Sequence, residues 1–279
     1  MVASEDFLTI EEVHLYMLEI LDDILDYLKQ HNMTYVLTGG SALGAVRHHG
    51  FIPWDDDIDL AMPREEYDAF VANYRPTQPR LKLINLEQTD GSGIAYTRVA
   101  NVQTGSQNEL LNVNNGIFVD VFPLDHVPDQ QSGQKSAYYR MKILDGLRNS
   151  TRRTAFNRDE PWWKVFIKQV TTSLVKHQST DGYAAKIDRL ARKVNEKNQT
   201  SHTMSLYVVQ GINAMRENQS VEIYTTKRQP AVFEGRTVNI PGPGYLEKLF
   251  GPNYMQIPDE HKSHGNFYIR HDATQDGLG

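Results

Sequence analysis

Residues 34–62 read TYVLTGGSALGAVRHHGFIPWDDDIDLAM, and the fold predicted for the chain is built around this stretch. The apolar run at 35–37 predicts a strand, which enters a Gly-Gly-Ser turn at 39–41. A short helix is expected at 42–48, and the DDDIDL run at 55–60 predicts an acidic strand. The stretch therefore predicts a unit of strand, glycine turn, helix and acidic strand.

The acidic strand places two carboxylates on one side. Side chains alternate across a strand, so Asp57 and Asp59 share a side about 6.6 Å apart, while Ile58 and Leu60 face the core. Two carboxylates this close repel each other unless a cation lies between them or one takes a proton. Oxygen ligands with open positions suit Mg²⁺ or Mn²⁺, so the pair predicts a site for one of these ions.

The glycine turn supplies a complementary feature. Backbone N–H groups of Gly39, Gly40 and Ser41 at a helix start favour an anion, so a phosphate bound there would lie near the metal. Taken singly, an acidic run is usually a solvated loop and a Gly-Gly pair is usually a turn. Their combination in this order favours a phosphate-and-metal site.

Three segments resemble one known family. Residues 39–62 are similar to the signature of the LicD family, whose relatives include the fukutin-related proteins, and to the Gly-Ser…Asp-x-Asp pattern of the nucleotidyltransferase fold. Residues 116–125, GIFVDVFPLD, and residues 245–255, YLEKLFGPNYM, resemble further stretches of the same family. The resemblance implies an α/β (α+β) fold with a nucleotidyltransferase-like mixed sheet flanked by helices. The pattern of the middle of the chain predicts an additional, mainly helical basic region.

Asp120 is the third carboxylate of interest. It lies among aromatic residues on a predicted strand at 116–122, and a buried carboxylate needs a cation or a set of donors. An aspartate that caps a neighbouring turn is the alternative. The resemblance implies that Asp120 is a third metal ligand and a catalytic residue together with Asp57 and Asp59. We also expect Asp120 to accept the proton of the acceptor hydroxyl. Asp125 is expected to start a turn or to cap the element that follows.

The resemblance also implies a reaction. LicD-family members move phosphocholine from CDP-choline to a sugar hydroxyl of a cell-surface glycopolymer and release CMP, and the fukutin-related branch moves ribitol phosphate from CDP-ribitol. The implied partners are CDP-choline and a glycopolymer or lipid-linked glycan of the teichoic acid or lipopolysaccharide type. The chain has no cysteine, so the zinc loop of the fukutin-related branch does not carry over, which favours phosphocholine. Transfer of ribitol phosphate or another CDP-linked alcohol, a true nucleotidyltransferase that uses an NTP, and a binding module are the alternatives.

Arginines and aromatic residues complete the predicted site. Arg47 and Arg98 are candidates to hold phosphate oxygens, because guanidinium forks suit them, although surface or structural roles are equally open. Trp54, with Tyr67 and Tyr96, is a candidate for an aromatic cage around a choline ammonium group. Trp54 serves equally well as a core anchor.

Composition and charge predict a cytoplasmic protein with one basic region. The chain has 279 residues, 39% of them hydrophobic, and contains neither an apolar window of about 18 residues nor the pattern of a signal peptide. Residues 135–200 carry 15 Lys and Arg against 6 Asp and Glu, a net charge of +9, which leaves −15 for the remainder. This split predicts a basic surface that meets anionic lipid at the inner membrane face or the acceptor's phosphates. Nucleic acid is not expected, because basic and aromatic residues do not alternate.

The basic region is predicted to be helical at 134–149, 162–177, 183–197 and 202–215. In the second of these helices an apolar stripe has two interpretations, core packing, which we favour, and contact with a membrane surface. The stripe comprises Trp163, Phe166, Ile167, Val170 and Leu174.

The expected organisation is a catalytic core at 1–127, a helical basic region at 128–218 and a C-terminal segment at 219–279 that packs back on the core. A capping box starts a helix at 9–30. The C-terminal histidines, at 261, 264 and 271, form no recognised zinc pattern.

Overall fold

The structure is a computed structural model that describes residues 7–107, 111, 116–157, 160–209, 214–258 and 266–270. Its helices are α1 Ile10–Gln30, α2 Gly39–Arg47, α3 Arg64–Asn73, α4 Gln131–Thr151, α5 Trp162–Val175, α6 Thr180–Lys197, α7 Val221–Tyr224 and α8 Tyr245–Phe250. Its strands are β1 Val36–Leu37, β2 Asp59–Pro63, β3 Leu81–Ile84, β4 Thr97–Asn101, β5 Thr104–Gln107, β6 Ile117–Val127, β7 Thr203–Ser205, β8 Gln219–Ser220, β9 Gln229–Phe233, β10 Arg236–Ile240 and β11 Asn266–Ile269.

A mixed sheet forms the centre of the fold. Its strands run in the order β1-β2-β6-β4-β3, and β7 and β8 extend it from the distal part of β6. The β2–β6 pair is parallel, whereas the other pairs of this sheet are antiparallel. The predicted mixed sheet flanked by helices is therefore confirmed. No helix in the described ranges combines the length and the hydrophobicity of a membrane span.

Helix α1 packs across the sheet by the face that its sequence predicts. Thr9 and Glu12 form the predicted capping box, with Glu12 N–H donating to Thr9 Oγ1 at 3.3 Å and Thr9 N–H donating to Glu12 Oε2 at 2.8 Å. Its buried apolar residues recur at helical spacing and contact β4 and β6. They are Val13, Met17, Ile20, Leu21, Ile24 and Leu28.

The glycine turn belongs to the helix that follows it. Ala42 N–H donates to the Thr38 carbonyl oxygen at 3.1 Å, so helical bonding starts three residues earlier than predicted. Gly39 has φ +55°, a left-handed conformation that glycine adopts without a Cβ penalty, and this lets the chain turn sharply from β1 into α2.

Substitution of Gly44 tests the packing of α2. A Cβ at this position would lie 2.4 Å from the Gly50 carbonyl oxygen, whose backbone has little freedom to move. We expect Gly44→Ala to lower the free energy of unfolding by about 1–3 kcal/mol, measured by urea denaturation. Gly146→Ala in α4 is the matched control, because its Cβ meets nothing within 4 Å, and helix propensity should raise stability by about 0.5–1 kcal/mol. Equal stability of the two variants would contradict the close approach of α2 to Gly50.

One predicted helix differs from the structure. Residues 202–215 were expected to form a helix, but β7 pairs with the end of β6, and the segment ends in a 3₁₀ turn at Ala214–Glu217. The Asp129 carboxylate holds this pairing, because it accepts hydrogen bonds from His202 N–H and the Thr203 hydroxyl. Residues 210–213 and the histidines at 261, 264 and 271 lie outside the described residues.

Asp125 lies within β6 and does not start a turn. It is fully buried, and the Arg64 guanidinium donates to both of its carboxylate oxygens at 2.7 Å. This pairing compensates the buried charge, which the sequence alone did not indicate.

The apolar stripe of α5 lies on the surface, so the expectation that it is core is wrong. Val175 is the buried residue of this helix, whereas Trp162 is 80% and Leu174 is 72% exposed. Helix α5 contacts α4 through its more polar side, with the Ser150 and Thr171 hydroxyls 3.1 Å apart.

Buried residues from all three predicted ranges share one hydrophobic core, among them Ile24, Ile187 and Tyr245. The division into 1–127, 128–218 and 219–279 stays a prediction.

Candidate active site

The acidic segment alternates as the sequence predicts. Ile58 and Leu60 are fully buried, whereas Asp57 and Asp59 are half-buried on the other side. Strand β2 begins at Asp59, and the pairing reaches one residue further, because Asp120 N–H donates to the Ile58 carbonyl oxygen at 2.9 Å. The Asp57 and Asp59 carboxylates therefore lie on the same side of the chain, at the end of the sheet where β2 starts.

Asp59, Asp120 and Arg98 form a row across three neighbouring strands. Asp59 of β2 lies directly opposite Asp120 of β6, and Asp120 lies directly opposite Arg98 of β4. Directly paired residues point to the same face of a sheet, and neighbouring strands are about 4.8 Å apart. The sheet thus brings together three residues that are up to 61 positions apart in the sequence.

Arg98 occupies both carboxylate oxygens of Asp120. Its Nε donates to Oδ1 at 2.6 Å and its Nη2 donates to Oδ2 at 2.8 Å, and its guanidinium lies 3.4 Å from the centroid of the Phe118 ring. Burial alone would lower the pKa of Arg98, but the charge and hydrogen bonds of Asp120, together with Tyr96 and Asp59, raise this pKa overall. The Arg98 guanidinium is therefore a cation that compensates the buried charge of Asp120. The roles of Asp120 as a metal ligand and of Arg98 as a phosphate contact stay predictions.

Asp59 lies in a strongly negative environment. Burial raises the pKa of its carboxyl well above the usual range, and Asp57, Asp120 and Asp55 raise it further, against a smaller opposing effect of Arg98. A cation bound here would relieve this repulsion, so the donor set fits a divalent ion held by Asp57 and Asp59. Across the described residues, no three acidic or histidine side chains are already arranged around a common point. Mg²⁺ does not require such a cluster, because it commonly takes one or two carboxylates plus waters and substrate phosphates.

The start of α2 lies beside these carboxylates. The Ser41 hydroxyl accepts a hydrogen bond from Asp59 N–H at 2.9 Å, and a Cβ on Gly39 would lie 3.7 Å from Asp59 Oδ2. A Cβ on Gly40 would lie 2.6 Å from Asp55 Oδ2, so only glycine fits against that carboxylate without a shift. The buried hydroxyl of Thr38, at the N-cap, has no hydrogen-bond partner. The predicted phosphate-binding turn and the acidic strand therefore meet, as the sequence led us to expect.

Arg47 is not brought to this site. It lies at the other end of α2, eight residues or about 12 Å from Gly39 at 1.5 Å per residue. Its Nη1 donates to the carbonyl oxygens of Tyr254 and Gln256, both at 3.1 Å. Arg47 thus anchors the C-terminal segment, and its placement gives no support to a phosphate contact.

The three aromatic candidates have different environments. The Tyr67 hydroxyl is hydrogen-bonded to Thr97 Oγ1 at 2.8 Å, and Trp54 packs against the hydrophobic core. Tyr96 packs edge-on against Phe122, and burial, followed by the charge of Asp120, raises its pKa to about 12. Tyr96 is therefore close to the site, while a cage of Trp54, Tyr67 and Tyr96 stays a prediction.

Comparison with known proteins assigns one part of the chain to a family. Residues 32–144 match the family described as LicD/FKTN/FKRP, nucleotidyltransferase domain. These residues belong to the LicD family. The lipopolysaccharide cholinephosphotransferase LicD of Haemophilus influenzae is 34% identical over 126 residues, which cover 44% of this chain and 47% of that protein. Uncharacterized proteins of Rickettsia typhi and Rickettsia prowazekii are each 38% identical, over 56 and 52 residues, or 20% and 19% of this chain and 18% and 20% of theirs. The chain thus spans half or less of the length of each of these relatives.

A residue from outside the LicD-matched range reaches the signature motif. Gly39 N–H donates to the Tyr245 hydroxyl at 3.1 Å, and this hydroxyl donates to the Glu217 carboxylate, 3.0 Å from Oε2. The Tyr224 hydroxyl lies 3.1 Å from the same oxygen. Tyr245 begins the 245–255 stretch that resembles the family, whereas Glu217 belongs to none of the motifs found in the sequence. The first N–H of α2 is therefore held by the protein itself, which leaves Gly40 and Ser41 as the candidate phosphate donors.

Two residues outside the acidic segment, His14 and Glu234, contact the backbone or side chains of residues 51–55. His14 of α1 stacks on Phe51 with ring centroids 3.7 Å apart, and its Nε2 lies 2.7 Å from the Asp55 carbonyl oxygen. Glu234, at the β9–β10 turn, accepts a hydrogen bond from Phe51 N–H at 3.1 Å. The sequence did not identify either residue, because both contacts join positions that are far apart in the chain.

Glu217 should make the stability of the protein depend on pH. Burial raises its pKa from 4.5 to about 7, against the hydrogen bonds of Tyr245 and Tyr224 and the charge of Lys248, which lower it. The native state then keeps a proton that the unfolded chain releases near pH 4.5, so this contribution is complete below pH 4.5 and is lost as pH rises through 7. Between pH 6 and pH 8, we expect the free energy of unfolding to fall by about 1 kcal/mol more in the wild type than in Glu217→Gln. Urea denaturation at both pH values measures this difference, and identical pH dependence in the two proteins would refute it.

Proposed function

We propose that this protein transfers phosphocholine from CDP-choline to a sugar hydroxyl of a glycopolymer precursor and releases CMP. The observation that carries the proposal is the row of Asp59, Asp120 and Arg98 beside the start of α2, within a LicD-family domain. The name of the Haemophilus relative, a lipopolysaccharide cholinephosphotransferase, supports phosphocholine as the transferred group. Mg²⁺ or Mn²⁺ is the proposed cofactor, and Asp57 and Asp59 would hold it. When bound, such an ion neutralises charge on a phosphoryl group and lowers the pKa of a bound hydroxyl.

The start of α2 would bind the donor. The N–H groups of Gly40 and Ser41 are in the first turn of the helix, where the helix dipole favours a phosphate. Ser41 also fixes the distance between this turn and Asp59 through its hydroxyl. The diphosphate would therefore be held next to the acidic strand. Transfer of a phosphoryl group depends largely on such positioning.

Asp120 would receive the proton of the acceptor. In the proposed step the sugar oxygen forms a bond to the phosphorus next to choline, and the bond from this phosphorus to the bridging oxygen breaks. CMP leaves with the bridging oxygen, and the hydroxyl proton moves to an Asp120 oxygen. Arg98 positions the Asp120 carboxylate by holding both oxygens, and it would release one of them when the proton arrives.

The acceptor is proposed to be a lipid-linked glycan of the teichoic acid or lipopolysaccharide type, met on the cytoplasmic side of a membrane. A membrane contact through residues 135–200 is a separate proposal, because it depends on a different surface of the molecule.

The donor can be tested by product analysis. The protein is incubated with Mg²⁺, a crude glycolipid pool and one of CDP-choline, CDP-ribitol or CTP. We expect CMP from CDP-choline, and little from CDP-ribitol. CMP released from CDP-ribitol but not from CDP-choline would show that the protein transfers ribitol phosphate and not phosphocholine. Pyrophosphate from CTP, without CMP from either donor, would overturn the proposal in favour of nucleotidyl transfer.

A further inference from the structure

Helix α5 exposes an apolar face that the described protein does not cover. The side chains recur at helical spacing on one side of a 14-residue helix, and each is more than two-fifths exposed. They are Trp162, Trp163, Phe166, Ile167, Val170 and Leu174. Scattered exposed apolar residues are normal on protein surfaces, but a contiguous stripe of this size is typical of a site that binds another apolar surface.

The opposite side of α5 packs against the rest of the protein. Val175 is buried, Thr171 contacts the Ser150 hydroxyl of α4, and Lys168 forms an ion pair with Glu160. The helix therefore packs through a narrow and partly polar stripe, while its more hydrophobic side faces outward. This is the reverse of an ordinary surface helix, whose apolar side faces the core.

Charge indicates what this face contacts. Lys164 and Lys176 are exposed near the two ends of the helix, and residues 135–200 carry a net charge of +9. The rest of the chain carries −15, so an anionic surface would attract the α5 side of the molecule and repel the remainder. Two copies that met through α5 would bring two basic regions together, so charge favours an anionic surface over self-association.

The kind of residues also favours a bilayer. Tryptophan is enriched at the boundary between lipid headgroups and acyl chains, and Trp162 and Trp163 stand side by side at the start of α5. Lysine at the margin of an apolar helix face extends its ammonium group toward phosphate while its methylene groups stay in the apolar layer.

We propose that α5 docks this protein on anionic lipid, with its apolar face lying in the interface of one leaflet and parallel to the membrane plane. The helix does not cross the bilayer. Because the surface consists of α5 alone, the proposal does not depend on the chemistry proposed for the carboxylates.

Vesicle flotation tests the docking. The full chain is mixed with vesicles of phosphatidylcholine alone or with phosphatidylglycerol added, at low and at high salt. We expect at least about tenfold stronger binding to the anionic vesicles, because lysine side chains are attracted to anionic headgroups, and loss of this preference at high salt, because salt screens that attraction. In a Trp54→Phe variant, the tryptophan fluorescence, which then comes from α5 alone, should shift to shorter wavelength on binding.

Charged substitutions on the exposed face supply the decisive comparison. Phe166→Asp with Leu174→Asp should reduce binding to anionic vesicles by at least about tenfold without changing the melting temperature, because both side chains are exposed. Leu15→Asp is the matched control, a 65% exposed residue of helix α1, and it should bind as the wild type does. Equal binding to neutral and anionic vesicles, or unchanged binding of the double variant, would overturn the proposal. A dimer in sedimentation analysis that the double variant abolishes, with no vesicle binding, would assign the face to a second copy instead.

Discussion

Asp59→Asn is expected to reduce CMP release from CDP-choline by at least about 100-fold while the fold stays as stable as the wild type, or becomes more stable. Activity falls because the substitution removes a carboxylate from the proposed metal and phosphate site. Stability is kept because Asp59 is repelled by Asp57, Asp120 and Asp55 when no cation is bound, and a neutral amide removes this repulsion.

Thermal unfolding with and without Mg²⁺ separates these two effects. Mg²⁺ should raise the melting temperature of the wild type, because a ligand that binds only the native state stabilises it, and should have little effect on Asp59→Asn. Asp26→Asn, an exposed aspartate of α1, is the matched control and should keep both the activity and the response to Mg²⁺. A variant that is inactive because it is unfolded, or that retains full activity, would contradict the role given to Asp59.

Arg98→Met is expected to lower the free energy of unfolding by about 3–5 kcal/mol, because it leaves the buried Asp120 carboxylate without its cation. The double variant Arg98→Met with Asp120→Leu should recover much of this loss, since it removes both buried charges together. Urea denaturation of the two single variants and the double variant measures the coupling between the residues.

A half-exposed arginine is the control for this experiment. Arg192 is 37% exposed and ion-paired with Asp68 and Asp188, so Arg192→Met should cost less than about 1 kcal/mol. If Arg98→Met were no more destabilising than Arg192→Met, the buried pair would not hold β4 against β6 in the way described.

The sequence predicted those parts of the fold that depend on local patterns. The capping box and apolar period located α1 to within a residue, and alternation identified which face of the acidic segment carries Asp57 and Asp59. These features follow from the period of the element itself. The helix expected at 202–215 was wrong because strand pairing of β7 with β6, a contact between distant segments, overrides local propensity.

Periodicity also could not tell what covers an apolar face. The stripe of α5 was identified correctly from its spacing, yet its assignment to the core was wrong, because helical period specifies that residues share a side and not which surface that side meets.

In the candidate site, the sequence singled out individual residues but not the contacts between them. Asp120 and Arg98 were both singled out, but their bidentate contact depends on the register of β4 against β6, which a single sequence does not reveal. The bond from Gly39 to Tyr245 spans 206 positions, and no local pattern encodes it. The proximity of the glycine turn and the acidic strand was predictable because both lie in one short segment.

The proposed reaction moves phosphorus and choline together onto a glycan. It is tested most directly with CDP-choline labelled both in the choline methyl groups and in the phosphorus next to choline, incubated with the protein, Mg²⁺ and the glycolipid pool. We expect both labels to enter the glycan in equal amounts, with one CMP released for each phosphocholine transferred, and Asp59→Asn to abolish all three signals. CMP released without label in the glycan, or choline label without phosphorus, would contradict it.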